Sequence, residues 1–252
     1  MAALACLVAL FTYFAVTTDR APFDLRISRW MQTLDLERTG AFSSAMFWMG
    51  LRGVAGAVLV VVFALLWLRG HRPAAVFLGL IVVFDLFNVS LREWIGRPRP
   101  TEELIGVVIG YGGIQGSSFP SGHAVHFILF YGFMLYLSRT LMRAGALRTL
   151  AWALVLFYIP VASIWLVHAG RHWTTDVLGG YAYGAFYLAI TIIGYEWFRA
   201  YSPRLSAYAE ELGPDSYRGK VVRLIAFMVT EGPQFSLVRR WPGLVPDRRG
   251  SP

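Results

Sequence analysis

Six long apolar runs, at about 2–17, 48–68, 74–91, 122–141, 149–168 and 175–198, follow one another with short polar stretches between them. A helix rising about 1.5 Å per residue needs about 20 residues to cross a bilayer, and backbone in lipid must satisfy its own hydrogen bonds. The pattern therefore predicts an all-α, polytopic membrane bundle of about six transmembrane helices over residues 1–200. Composition agrees, with 56% of the 252 residues hydrophobic, 15% charged and a mean hydropathy of +0.53. A soluble domain carries about 25% charged residues. The first run has no positively charged leader and no small-x-small site after it, so it reads as a membrane helix rather than a signal peptide. Cys6 is the one cysteine, which leaves no disulfide framework and no cysteine metal cluster.

The net charge of +8 raises the question of nucleic acid, but the basic residues sit at the ends of apolar runs, where they set topology and meet lipid headgroups. Arg69 and Arg72 lie between the second and third runs, and Arg139, Arg143 and Arg148 between the fourth and fifth, with no acid in either connection. The tail from residue 201 to 252 adds Arg204, Arg218, Lys220, Arg223, Arg239, Arg240, Arg248 and Arg249. With six alternating spans these all fall on one side, which the positive-inside bias makes cytoplasmic together with both termini. Lys220 is the one lysine among 23 basic residues, an arginine-rich habit that points to a bacterial source and its inner membrane. Two further segments read as helices lying on the membrane surface: residues 19–42, with Phe23, Ile27, Trp30, Met31 and Leu34 at helical spacing, and the tail stretch from Val221 to Val229.

The opposite face receives three polar clusters: Arg92 to Pro100, Pro120-Ser121-Gly122-His123, and His172 to Asp176. Phosphoester cleavage requires charge on the equatorial oxygens, an in-line nucleophile and an acid for the leaving alkoxide. Arg92 and Arg99 can each offer bidentate donors to phosphate. Ser121 and Gly122 open a helix whose free N–H groups favour an anion, and His123 follows as the acid. His172 and Asp176 are one helical turn apart, so the carboxylate can hold one imidazole nitrogen and leave the other to attack. Arg97 is expected to anchor at the interface rather than to bind phosphate.

The order and spacing of these clusters resemble the type 2 phosphatidic acid phosphatase (PAP2) superfamily, whose pattern is Lys-x6-Arg-Pro, Pro-Ser-Gly-His and Ser-Arg-x5-His-x3-Asp. The resemblance covers about residues 50–200 and departs from the pattern twice. Arg92 stands where the family has Lys, and Leu166, preceded by Trp165, stands where it has the third-motif Arg. The resemblance implies a PAP2-like helical core, with His172 as the nucleophile through a phosphohistidine, Asp176 as its orienting partner, and phosphate held by Arg92, Arg99, Ser121 and Gly122. Such a mechanism uses no metal or other cofactor. Arg171 or His168 is the candidate replacement for the missing arginine. The spacings of His123 with His126, and of His168 with His172 and Asp176, also suit a metal, but the arginine pair nearby opposes a cation.

A site at a membrane face suits an amphiphilic substrate, so the expected partner is a lipid phosphate or diphosphate in the bilayer, with the 101–119 loop as its cap. The expected activity is that of a membrane lipid phosphatase working at the extracytoplasmic face. A phosphotransferase using an acceptor hydroxyl and a non-catalytic lipid-binding relative are the alternatives. Neither the oligomeric state nor a role for the tail follows from the sequence.

Overall fold

The structure is a computed structural model that describes residues 1–34, 52–106, 116–212 and 216–229. Its elements are helices: α1 (Ala2–Thr17), α2 (Pro22–Gln32), α3 (Arg52–Leu68), α4 (Arg72–Ile95), α5 (Glu102–Ile105), α6 (Gly122–Leu141), α7 (Ala146–His168), α8 (Thr174–Glu211) and α9 (Tyr217–Val229). Four are apolar and long enough to cross a bilayer: α4 with 24 residues, α6 with 20, α7 with 23, and the 28-residue Thr174–Tyr201 part of α8. The other two expected spans are shorter, α1 with 16 residues and α3 with 17, and residues 48–51 of the second run lie outside the described residues.

The bundle is organised around α8, which touches α1, α2, α4, α6 and α9, while α3 packs on α4 and α7 on α6. Phe77, Leu78 and Ile81 of α4, Val125, Leu129 and Phe133 of α6, and Tyr183, Tyr187 and Tyr195 of α8 form its core. Aromatic edges fill the middle, as where the Tyr195 ring meets Phe77 and Phe133 at near right angles with centroids 5.9 and 5.8 Å away. Close approach of α8 to α6 needs glycine. A Cβ on Gly180 would stand 2.7 Å from the Ala124 Cβ and 2.9 Å from the Ser121 carbonyl oxygen. Past its first turn, α6 widens into a π-helical turn at Phe127–Tyr131, a local irregularity that accompanies functional sites in many helices.

Of the segment 19–42 expected to lie on the membrane surface, residues 35–42 lie outside the described residues and Pro22–Gln32 is helical as α2, bent 87° from α1. It packs against α5, α7 and α8 at the end of the bundle that carries the three clusters. Ile27 and Met31 pack on Ala124, Val167 and Val177, whereas Phe23 and Trp30 face outward. The expected tail segment is helical as α9, which lies beside α8 and α4. Residues 107–115 of the 101–119 loop expected to cap the pocket lie outside the described residues.

Candidate active site

The first cluster is shaped by the way α4 stops. Gly96 takes a left-handed conformation (φ 71°) and its N–H caps the Arg92 carbonyl at 3.1 Å, a stop that residues with a Cβ rarely adopt. Arg92 thus stays on the last turn of α4 while the following residues run across the end of the bundle. The second cluster is laced to this segment: the Ser118 N–H donates to the Arg97 carbonyl at 2.8 Å and its hydroxyl to the Pro98 carbonyl at 3.1 Å. Ser121 is the N-cap of α6, with its Oγ accepting from the Ala124 N–H at 3.5 Å and its own N–H donating to the Asp176 carbonyl at 3.0 Å. That N–H is therefore already used, and the hydroxyl proton is what Ser121 has left to offer a ligand. Gly122 lies beside the first cluster, since a Cβ built on it would be 3.5 Å from Arg92 Nη1.

The third cluster follows a second left-handed glycine, Gly170 (φ 63°), which ends α7 and turns the chain toward α8. His172 is buried, with its Nδ1 3.6 Å from Asp176 Oδ2 and its Nε2 3.5 Å from Arg99 Nη1. Because a carboxylate only accepts, this arrangement favours the tautomer with hydrogen on Nδ1 and a lone pair on Nε2. Burial, reinforced by Arg99 and Arg92 and opposed by Asp176, pushes the His172 pKa below its ordinary value. The imidazole is therefore neutral at neutral pH, the form that can attack. Arg99 is fixed by three carbonyls: its Nε donates to Gly116 at 3.2 Å, Nη1 to Arg171 at 2.5 Å and Nη2 to Ser117 at 3.1 Å. Burial first, then the nearby Arg92, lowers its pKa to about 10, so it keeps its charge. Guanidinium groups drawn together in a half-buried place favour an anion among them.

The clearest departure from expectation is Arg97. Its side chain is fully buried, not an interfacial anchor, and it joins two carboxylates. Nη1 donates to Asp176 Oδ1 at 2.6 Å and Nη2 to Asp24 Oδ2 at 3.0 Å. Asp24, on α2, also accepts from the Thr175 N–H at 2.9 Å and the Thr175 hydroxyl at 2.5 Å. Asp176 Oδ2 in turn accepts from the Trp173 N–H at 2.8 Å. Two carboxylates thus cap the positive end of α8, and one buried guanidinium bridges them. Sequence reasoning missed Asp24 and Thr175 altogether, and no local spacing marks partners that are 73 residues (Arg97) and 151 residues (Thr175) from Asp24.

The candidates for the missing third-motif arginine go different ways. Leu166 is buried with Phe127, Ala162, Trp165 and Ala169 in an apolar cluster. His168 turns toward α2, its Nε2 3.2 Å from the Leu34 carbonyl and its own carbonyl accepting from Gln32 Nε2 at 2.6 Å. The Arg171 guanidinium lies 5.3 Å from the centre of the Trp165 ring and close enough to Arg99 to lower the latter's pKa. His126 Nδ1 pairs with Asp85 Oδ2 at 2.8 Å. Among the described residues no three His, Cys, Asp or Glu side chains gather as a metal site. Asp85 was also missed, although it is the one acid in the run 74–91 and an ionisable group in a membrane helix is itself a signal.

A cavity of about 400 Å³ opens beside these groups, between α3, α4 and α6, lined by Arg92, Gly122 and His123 at one end and by aliphatic residues such as Leu59, Val60 and Val82. It joins the polar cluster to an apolar wall.

The family model of the PAP2 superfamily matches residues 80–200. The crystal structure of the first transmembrane PAP2 type phosphatidylglycerolphosphate phosphatase, from Bacillus subtilis, has the same fold, with a TM-score of 0.64 at 20% identity over 75% of this chain and 94% of that one. No curated protein sequence matches the chain.

Proposed function

Over residues 80–200 this chain belongs to the PAP2 superfamily, and from that premise we propose that it is a membrane lipid phosphate phosphatase working through a phosphohistidine at His172. The observation that carries the reading is the position of His172. Its Nδ1 faces Asp176 and its Nε2 lies 3.5 Å from Arg99, and Arg92, one of the charges that lower its pKa, lines the cavity with Gly122 and His123.

The substrate phosphate sits among Arg92, Arg99, the N–H groups opening α6 and the Ser121 hydroxyl, with its lipid portion in the cavity. His172 Nε2 attacks phosphorus as the bond to the leaving oxygen breaks, and protonated His123 gives its proton to the departing alkoxide. Asp176 holds Nδ1–H and stabilises the positive charge that develops on the ring. Water, giving a proton to His123, then attacks the phosphohistidine, releasing inorganic phosphate and neutral His172. The guanidinium groups stabilise the equatorial charge in both steps.

The arginines between α3 and α4 and between α6 and α7 lie at the far ends of these helices from Arg92 and His123. By the positive-inside bias the site faces away from the cytoplasm, in an inner membrane, with both termini cytoplasmic. The test is phosphate release from a panel of lipid phosphates in liposomes containing EDTA. Release by the wild type that is lost in His172→Ala supports the reading; equal release by both overturns it.

A further inference from the structure

The cavity continues past the residues used for catalysis, and its far polar group has no role in the reaction above. Asp85 is in the middle of α4, two helical turns before Arg92, and His126 is one turn beyond His123 on α6. Their side chains meet at 2.8 Å and keep 34% and 17% of their surface exposed, both lining the cavity that holds Arg92 and His123. A carboxylate within a membrane helix is costly to keep unless it is paired or in use. Pairing alone does not require that both partners face a cavity.

The hydrogen bonding specifies what they offer. An ionised carboxylate only accepts, so the His126 Nδ1 carries the hydrogen of this bond, and in the neutral ring Nε2 is then the acceptor. The second oxygen of Asp85 also accepts. The His126 ring is fixed by stacking on Phe130, with centroids 5.3 Å apart and an 8° interplanar angle. Between this pair and Arg92, Asn88 lines the same cavity, with its Oδ1 buried out of reach of solvent. The acceptors of Asp85 and His126 therefore line the cavity about 4.5 Å along α6 beyond His123, three residues of helical rise.

We propose that Asp85 and His126 form a hydroxyl-recognition subsite, and that the substrate is a lipid phosphate whose leaving alcohol carries a free hydroxyl on the second or third carbon counted from the ester oxygen. The proposal rests on the phosphatase reading for the direction in which the leaving group points. A plain isoprenyl chain has no donor to give, and a fully acylated glycerol offers only acceptors. An ammonium would donate, but Arg92 in the same cavity disfavours a second cation. An unfilled acceptor is expensive in a low-dielectric site, so selectivity comes from the mismatch as much as from the match.

The test uses two non-hydrolysable probes of equal chain length, a 3-hydroxyalkylphosphonate and the plain alkylphosphonate, with affinities measured on the intact protein in detergent. The wild type is expected to bind the hydroxylated probe about tenfold more tightly. In the double variant Asp85→Leu with His126→Phe the ratio falls to within about twofold. Replacing both partners of a buried pair leaves no stranded charge, and Asp85→Asn, close in shape, is the second variant, in which the ratio also falls. A wild-type ratio near one, or one that survives in the double variant, overturns the subsite. Phosphate release is measured separately. A normal probe ratio with no release beyond that of His172→Ala overturns the phosphatase reading and leaves the subsite standing.

Discussion

Arg97 donates to Asp176 at 2.6 Å with neither side chain exposed, so the carboxylate that faces His172, the proposed nucleophile, is itself held by a buried cation. Its other amino group holds Asp24, which ties α2 to the start of α8 through the same guanidinium. Removing one member of a buried pair strands the other, with a typical loss of about 3–5 kcal/mol. Arg97→Met should therefore lower the thermal midpoint in detergent by several degrees and abolish turnover. Arg99→Met should abolish turnover with a much smaller loss of stability, because Arg99 has carbonyl partners rather than buried carboxylates. Thermal unfolding of both variants beside their phosphate release separates the two roles.

The depressed pKa of His172 sets a pH profile. A native imidazole that resists protonation stays reactive below the ordinary histidine value of about 6.5. The acid limb that His172 contributes to kcat/KM should thus lie below that value, read with a substrate whose phosphate does not titrate in the window. Arg99 is among the causes of the depression, so His172 should titrate higher in Arg99→Gln, which NMR titration can follow. Stability carries the same sign. As pH falls below about 6.5 the unfolded chain takes up a proton that native His172 refuses, so its contribution to stability is lost on acidification.

Restoring the family arginine should fail. Leu166→Arg would place a charge among Phe127, Ala162, Trp165 and Ala169, where no carboxylate partner is seen among the described residues. Lower yield and thermal stability are expected, with no rise in kcat. If instead Arg171 serves the phosphate, as its place next to His172 suggests, Arg171→Ala should raise KM or lower kcat by about tenfold or more. Steady-state kinetics on the two variants decide between them.

Gly180 provides a packing test that alters no charge. A methyl there meets a backbone oxygen of Ser121 and the Cβ of Ala124, neither of which is the loose end of a flexible side chain. Gly180→Ala should cost about 1–3 kcal/mol. It should also reduce turnover, because the displaced helix carries Asp176, whose carbonyl accepts the Ser121 N–H.

Much of the site was legible because it is built from residues close in sequence at the ends of apolar runs. The three clusters, their common face and the His172–Asp176 relation all follow from spacing and span alternation. The Arg97–Asp24 link did not, because it joins α2 to a loop 73 residues later and neither residue has a distinguishing neighbour. Amphipathic spacing in α2 pointed to Phe23 and Trp30, yet the face turned inward includes Asp24 and Ser28. There, a buried ion pair determines orientation where apolar periodicity was the available guide. Asp85 was legible in principle, as a lone acid inside an apolar run, and became informative only once His126 was seen across from it.

The central claim is a covalent phosphate on His172. Rapid quenching of the enzyme during turnover of a lipid with radiolabelled phosphate, followed by peptide mapping, tests it directly. The account predicts an acid-labile, base-stable label on His172 that appears at least as fast as phosphate is released and is missing from His172→Ala. Full-rate release with no trapped label, or a label on another residue, would contradict it.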